Sequence, residues 1–153
     1  MMSAIAARLA ELGIVLPNPV APIANYVPFV RSGTMLVVSG QISLGPAGLM
    51  AGKLGGGVSI EDGQKAARQC ALNVIAQIQS AVGNLDNVIR IVRLGGFINC
   101  TPDFVDAPKV MNGASDLMVE VFGDKGRHAR STIGVAALPA NAAVEVEALV
   151  EIA

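Results

Sequence analysis

The C-terminal stretch Ser131-Thr132-Ile133-Gly134-Val135-Ala136-Ala137, Leu138-Pro139-Ala140-Asn141 and Val144-Glu145-Val146-Glu147-Ala148-Leu149-Val150-Glu151-Ile152 sets the frame for the fold. In its last segment Val144, Val146, Ala148, Val150 and Ile152 alternate with Glu145, Glu147, Leu149 and Glu151. Because successive strand side chains point to opposite faces, this pattern describes a strand with one face on a core. Ser131 to Ala137 is a second β-rich run, and Leu138 to Asn141 carries the turn residues between them.

Working back from there, Phe104 to Phe122 has helical periodicity through Val105, Val110 or Met111, Ala114, Met118 and Val121, with Pro108 near its start. Val88 to Ile98 is strongly β-branched with Arg90 and Arg93 interspersed, and predicts a long strand reaching Cys100. Ser59-Ile60-Glu61-Asp62 is a helix-start box, with Ser59 as cap and acids in the first turn to complement the helix dipole. The helix it opens has an apolar stripe of Ala67, Cys70, Ala71, Val74, Ile78 and Ala81, and Gly83-Asn84 stops it. The Gly55-Gly56-Gly57 triplet is followed by no Gly-Lys-Ser/Thr and has no dinucleotide-fingerprint spacing, so it predicts a mobile turn and not a phosphate cradle. Leu49 to Leu54 is a candidate third strand, and Val27 to Arg31 with Met35 to Ser39 reads as a hairpin around Ser32-Gly33-Thr34. The proline-rich stretch Pro17 to Pro28 crosses the surface without regular structure, after a short amphipathic helix from Ser3 to Gly13 with Ile5, Leu9 and Leu12 on one face. A helix followed by β-β-β-α-β-α-β-β predicts an α+β domain, its sheet partly antiparallel and covered by helices on one face. The uncovered face is a natural place for further copies of the chain, closed by cyclic symmetry.

Composition points the same way. Of 153 residues, 52% are hydrophobic and 15% charged, against a usual charged share of about 25%. With mean hydropathy +0.56 the chain carries ample apolar surface to fold and is not a disordered segment. Its length fits a single domain spanning 1–153, with residues 1–25 as an N-terminal helix and proline-rich extension and 26–153 as the core. So few charges are a thin coat for a small domain, which predicts an oligomer. A membrane is not the partner, since no run of about 18 to 20 apolar residues exists. Leu12 to Val30 holds Pro17, Pro19, Pro22 and Pro28, and Ser32 to Gly52 is broken by glycines and Pro46. Met1 to Gly13 carries Arg8 and Glu11 and lacks the pattern of a secretory signal, so a cytoplasmic location is expected. Two cysteines and one histidine indicate neither a disulfide framework nor a zinc site; Cys70 and Cys100 read as small core residues. Net charge −1, from 11 Lys plus Arg and 12 Asp plus Glu, with four Phe and one Tyr, makes nucleic acid a poor partner. The cluster of Arg127, His128 and Arg130 suits a small anion better.

Arg130-Ser131-Thr132, followed by Leu138-Pro139 and Val144-Glu145-Val146-Glu147-Ala148, resembles the RidA family, also called YjgF or endoribonuclease L-PSP-like. Ser39-Gly40-Gln41-Ile42, the helix containing Gln69 to Asn73 and ending at Gly83-Asn84-Leu85, and Asn112 support the resemblance, which runs from Tyr26 onward. It implies a chorismate-mutase-like (bacillus-type) α+β fold, with a mixed, mainly antiparallel sheet, two helices packed on one face, and a homotrimer. It further implies an enamine or imine deaminase that converts 2-imino acids to 2-oxo acids and ammonia without metal or organic cofactor. On that reading Arg130 clamps the substrate carboxylate, as a planar guanidinium with two parallel donors can at any working pH. Glu145 matches the family's water-handling glutamate, a role that requires a suitable pKa. Glu147 fits the solvated side of the strand equally well. Tyr26, Ser39 and Asn112 match positions lining the same interface pocket, and Thr132 stands where characterised deaminases often have cysteine, a tolerable change if that residue acts through its backbone. His128 has no serine or cysteine nucleophile beside it in sequence and reads as a loop histidine. The N-terminal helix looks like an addition to the common family chain, and the Gly55 to Gly57 loop looks long enough to reshape the pocket mouth, which together suggest a divergent subgroup. Two other classes of function are compatible with the family: a noncatalytic trimer binding small carboxylates, and an L-PSP-type ribonuclease or translation inhibitor. Net charge and the scarcity of aromatics speak against the last. With so few charges present, Arg130 and Glu145, expected at the ends of paired strands, are expected to serve a ligand.

Overall fold

The computed structural model describes residues 3–21 and 24–153; Pro22, within the proline-rich stretch, lies outside them. Helix α1 (Ala4–Glu11) is capped by Ser3, whose hydroxyl accepts from the Ala6 N–H at 3.0 Å. The Asp86 carboxylate accepts from the Ala4 and Ile5 N–H groups at 3.0 and 2.9 Å, so the helix start is tied to the body while Leu9 enters the core. Strands β1 (Phe29–Ser32) and β2 (Met35–Ile42) form the expected hairpin, with Ser32 opposite Met35. β2 runs three residues beyond the expected Ser39, through a bulge between Val38 and Gln41.

The third strand expected at Leu49 to Leu54 is not in the main sheet. The stretch is divided between two small ladders, β3 (Leu44–Gly45) with β4 (Gly48–Leu49) and β5 (Lys53–Leu54) with β6 (Gly57–Val58). Gly48 at φ +113° and Gly52 at φ +114° reverse the chain where a strand would have to continue. The Lys53 ammonium donates to Asn99 Oδ1 at 2.7 Å and to the Ala136 carbonyl, anchoring this segment to the ends of two main strands.

Helix α2 (Ile60–Val82) begins at Ser59, whose hydroxyl accepts from the Asp62 N–H at 3.0 Å, with Glu61 and Asp62 in its first turn. Strand β7 (Val88–Asn99) follows, then α3 (Ala107–Phe122), β8 (Ala129–Val135) and β9 (Val144–Ile152). α3 starts later than the expected Phe104. A turn closed by the Phe104 N–H on the Thr101 carbonyl (3.1 Å) and by the Thr101 hydroxyl on Asp103 (2.7 Å) holds the preceding residues outside the helix.

The main sheet has the order β1-β2-β9-β7-β8. Neighbours are antiparallel except β7 and β8, which are parallel because α3 crosses back between them. Every second residue of β9, from Val144 to Ile152, is buried beneath α2 and α3 together with Leu36, Val38, Leu94 and Ile98. Cys70 and Cys100 are free thiols in this core, and burial pushes the Cys70 thiol well above its ordinary pKa. Among the described residues no helix opposes the other face: Val37 is 45% exposed and Ile133 52%. Among the described residues no helix is long and apolar enough to cross a membrane.

The two core helices touch backbone to backbone. A Cβ placed on Gly113 would lie 2.1 Å from the Gln64 carbonyl oxygen, a distance no side chain tolerates. Gly113→Ala must therefore push α3 off α2, at a cost of about 1–3 kcal/mol or more. The expected result is a lower denaturation midpoint with Tm down by up to about 10 °C; an unchanged unfolding curve would show that the helices do not meet at this point.

Candidate active site

Glu145 is the second residue of β9 and lies on the face away from the helices, opposite Ile42 of β2 and Phe97 of β7. The β2 bulge brings Gly40 directly over it, where a Cβ would lie 2.9 Å from the Glu145 carboxyl carbon. A cavity of about 240 Å³ lies here, with Tyr26, Gly40, Gln41, Asn73, Pro139 and Glu145 in its walls. The rest of the lining is apolar (Val20, Ala21, Pro28, Ile42 and Leu44), so among the described residues Glu145 is the one carboxylate that faces the cavity. Burial pushes its pKa above the ordinary glutamate value, and the Glu147 charge adds to the shift. Glu147, one pleat further along the same face, lies 3.7 Å from Arg93, whereas Glu145 has no ion-pair partner among the described residues. The two acids of the Val-Glu-Val-Glu run are thereby distinguished: one is paired, the other is half-buried without a countercharge.

The cavity also takes residues that the sequence does not mark as site residues, Asn73 of α2 among them. Gln69, Asn73 and Gln77 follow one another at four-residue intervals on α2, a polar stripe buried inside an otherwise apolar helix face. Gln69 donates to Asn73 Oδ1 at 3.0 Å, and Asn73 donates to the Ile42 and Leu44 carbonyls at 3.1 and 2.9 Å. Gln77 donates to the Val20 carbonyl at 3.0 Å. The stripe thus holds two walls of the cavity, the end of β2 and the proline-rich extension, and its spacing is visible in the sequence. Ser39 plays a related part: its hydroxyl donates to the Val27 carbonyl at 2.8 Å, fixing the segment that carries Tyr26, which is itself 54% exposed.

The remaining expected residues form a second group. Arg130 lies on the edge strand β8, and its guanidinium reaches α3, where it donates to the Ser115 hydroxyl at 3.1 Å and the Pro108 carbonyl at 3.2 Å. It has no carboxylate partner among the described residues. Asn112 is exposed on α3, between Pro108 and Ser115. Thr132, on the same face of β8 as Arg130, has a buried hydroxyl with no hydrogen-bond partner among the described residues. His128 is in the loop before β8, as expected, but both of its ring nitrogens are engaged, one of them by Ser115.

Arg130 and Glu145 are not on paired strands, contrary to expectation: β7 lies between β8 and β9. Register separates them further. Arg130 is level with Leu94 and Ala148, whose side chains face the helices, while Glu145 is level with Phe97 and Ile133 on the open face. One chain therefore presents the two groups on opposite sides of its sheet, a carboxylate in a largely apolar cavity and, at the far edge, a guanidinium with no carboxylate partner among the described residues. The Gly55 to Gly57 loop does not line the cavity; Gly55 packs on Thr101 and Phe104.

A family model described as "YjgF/chorismate mutase-like, putative endoribonuclease" matches residues 6–152. The chain belongs to the YjgF family. Among its relatives, protein TCP17 of Trypanosoma cruzi is 52% identical over 97% of this chain and 94% of its own length. A 2-iminobutanoate/2-iminopropanoate deaminase of Dermatophagoides farinae is 30% identical over 90% of this chain and 95% of its own. Of the solved structures, Atu1372 of Agrobacterium tumefaciens, described as of unknown function, superposes with a TM-score of 0.90 at 44% identity, covering 97% of this chain and 92% of that one. TdcF of E. coli with bound serine gives 0.64 at 26% identity, covering 92% and 99%. The family model begins at residue 6, inside α1, and the Agrobacterium structure covers 97% of this chain, whereas the E. coli YjgF structure covers 88% of it.

Proposed function

We propose that this YjgF-family protein hydrolyses 2-imino acids to 2-oxo acids and ammonia, at a site completed where two copies of the chain meet in a homotrimer. The observation that carries this reading is Glu145, a half-buried carboxylate with no ion-pair partner among the described residues, in a cavity whose lining is largely apolar, and with its pKa raised by burial above the ordinary glutamate value. It takes a proton from the attacking water and returns it to the departing amine. Arg130 of the neighbouring copy receives the substrate carboxylate, because within one chain it lies across the sheet from Glu145. The uncovered sheet face, with Val37, Phe97 and Ile133, is the surface that the copies bury against each other. The relative named as an imine deaminase supports this chemistry, and the serine bound to TdcF supports recognition of a small amino-acid-like carboxylate.

The direct test generates imines in situ with an amino-acid oxidase and follows oxo-acid formation or semicarbazone trapping. Acceleration over buffer is expected, and none would end the hydrolase reading. A noncatalytic carboxylate-binding trimer would instead show 2-oxo acid binding by calorimetry with no turnover. The shared site has its own signature. Arg130→Ala and Glu145→Gln, each strongly impaired alone, are expected to regain activity when dissociated and reassembled together. With random mixing, about a quarter of interfaces then pair an intact Arg130 with an intact Glu145. No recovery in verified mixed trimers would place both residues in one chain's site.

A further inference from the structure

The hydrogen bonds behind Arg130 have only one consistent direction. A guanidinium can only donate and a backbone carbonyl can only accept. Arg130 Nη1 lies 3.1 Å from Ser115 Oγ, Ser115 Oγ lies 2.9 Å from His128 Nε2, and His128 Nδ1 lies 2.6 Å from the Gly126 carbonyl. Nδ1 must carry a proton to engage that carbonyl. In the neutral ring Nε2 is then an acceptor; it takes the Ser115 hydroxyl proton and leaves the Ser115 oxygen free to accept from Arg130. The chain of four groups is saturated only while the imidazole is neutral. A proton on Nε2 would aim a second donor at the Ser115 oxygen, leave the hydroxyl proton without an acceptor, and set two cations about one hydroxyl.

We propose that Ser115 and His128 are positioning residues for Arg130, and that protonation of His128 releases the guanidinium from the orientation in which it receives a carboxylate. This rests on the reading of Arg130 as the carboxylate clamp.

The surroundings favour the neutral ring. Burial lowers the His128 pKa from its ordinary 6.5, and the Arg130 charge lowers it further, against an opposing pull from the Gly126 carbonyl. No carboxylate contacts the ring among the described residues. Arg127, its exposed neighbour in the chain, is paired with Asp124 at 3.5 Å, and Arg90 from β7 is spent on the Arg127 carbonyl at 3.1 Å. From α3 the ring meets the neutral Ser115, while the next residue, Asp116, is exposed and unbonded to it.

The test has two readouts on the full-length protein. Imidazole ¹⁵N shifts, followed between about pH 8 and about pH 5, are expected to show a neutral ring protonated on Nδ1 that titrates below 6.5. Arg130→Gln is expected to raise that titration by removing the neighbouring charge. A ring protonated on Nε2, or a titration indifferent to Arg130, overturns the proposal whether or not the protein turns over any imine. The second readout is the Kd for a 2-oxo acid by calorimetry and the KM in the imine assay. Both are expected to rise as His128 protonates, and Ser115→Ala is expected to remove that rise while leaving the acid fall of kcat, which belongs to Glu145, in place. Ser115→Ala is expected to raise KM and Kd about tenfold, the order of one hydrogen bond to a charged group, and to flatten their pH dependence. Ser115→Thr keeps the hydroxyl and is expected to restore both. Ser115→Ala with the KM and pH profile of the unaltered protein overturns the proposal, whereas absent turnover with the ¹⁵N result intact rejects only the hydrolase reading.

Discussion

Arg130→Ala is expected to raise the KM for a 2-imino acid by about 10²–10³-fold, the cost of losing a charge-assisted bidentate contact in a desolvated site. The expectation follows from how the guanidinium is held. Its contacts within the chain are a hydroxyl and a carbonyl on α3, neither of them charged, so its charge is left for a ligand. Those partners are only partly buried, so truncation leaves no stranded ion and the fold stays intact, with near-unchanged Tm as the control. Arg130→Lys retains the charge but loses the planar fork, and is expected to recover the affinity only in part. Steady-state kinetics on imines generated in situ, together with calorimetry using a 2-oxo acid, measure both effects. A Kd and KM equal to those of the unaltered protein would remove Arg130 from the site.

Glu145→Gln is expected to lower kcat by about 10²–10⁴-fold, the usual contribution of a positioned general base, with oxo-acid Kd little changed. Glutamine preserves the shape against Gly40 and Gln41 and removes only the ability to take a proton. Because burial raises the Glu145 pKa above its ordinary 4.5, kcat of the unaltered protein is expected to fall with acid at a higher pH than a free glutamate would impose. The same shift has a consequence for stability. The folded state binds this proton more tightly than the unfolded chain does, so any stability it lends is full below about pH 4.5 and is lost as pH rises through the folded value. At neutral pH the carboxylate is therefore a net cost. Glu145→Gln is expected to be at least as stable as the unaltered protein at pH 7, with the difference vanishing in acid. A variant that is inactive yet markedly less stable at neutral pH would mean that Glu145 serves the fold and not the chemistry. Thermal unfolding at two pH values beside the rate measurement decides it.

Much of the fold was legible because the patterns that specify it are local. Alternation from Val144 to Ile152 follows from the covalent geometry of an extended chain, and the structure buries those residues one by one as the sequence predicts. The Ser59 cap, the stripe of α2 and the long β7 are equally local, since each depends on neighbours within a few turns or pleats. The failures fall where glycine and turn chemistry compete with an apolar run. Leu49 to Leu54 has strand composition, but Gly48 and Gly52 turn the backbone out of it. Phe104 fits the helical period, but the Thr101 to Phe104 turn excludes it from α3.

The site divides along the same line. The sequence by itself marked Arg130 and Glu145, through residue types whose chemistry is specific and a family resemblance whose motifs lie in order, and it identified the half-buried face of β9. Only the tertiary structure decided that β7 separates the two residues, that they face opposite sides of the sheet, and that one acid is paired with Arg93 while the other is not. It alone brought Ser115 of α3 against His128, and the buried amides of α2 against the cavity walls. The reason is physical: which way a side chain points along its own strand is settled by bond geometry, but which strand lies beside it, and what covers its face, is settled by pairing and packing between distant parts of the chain.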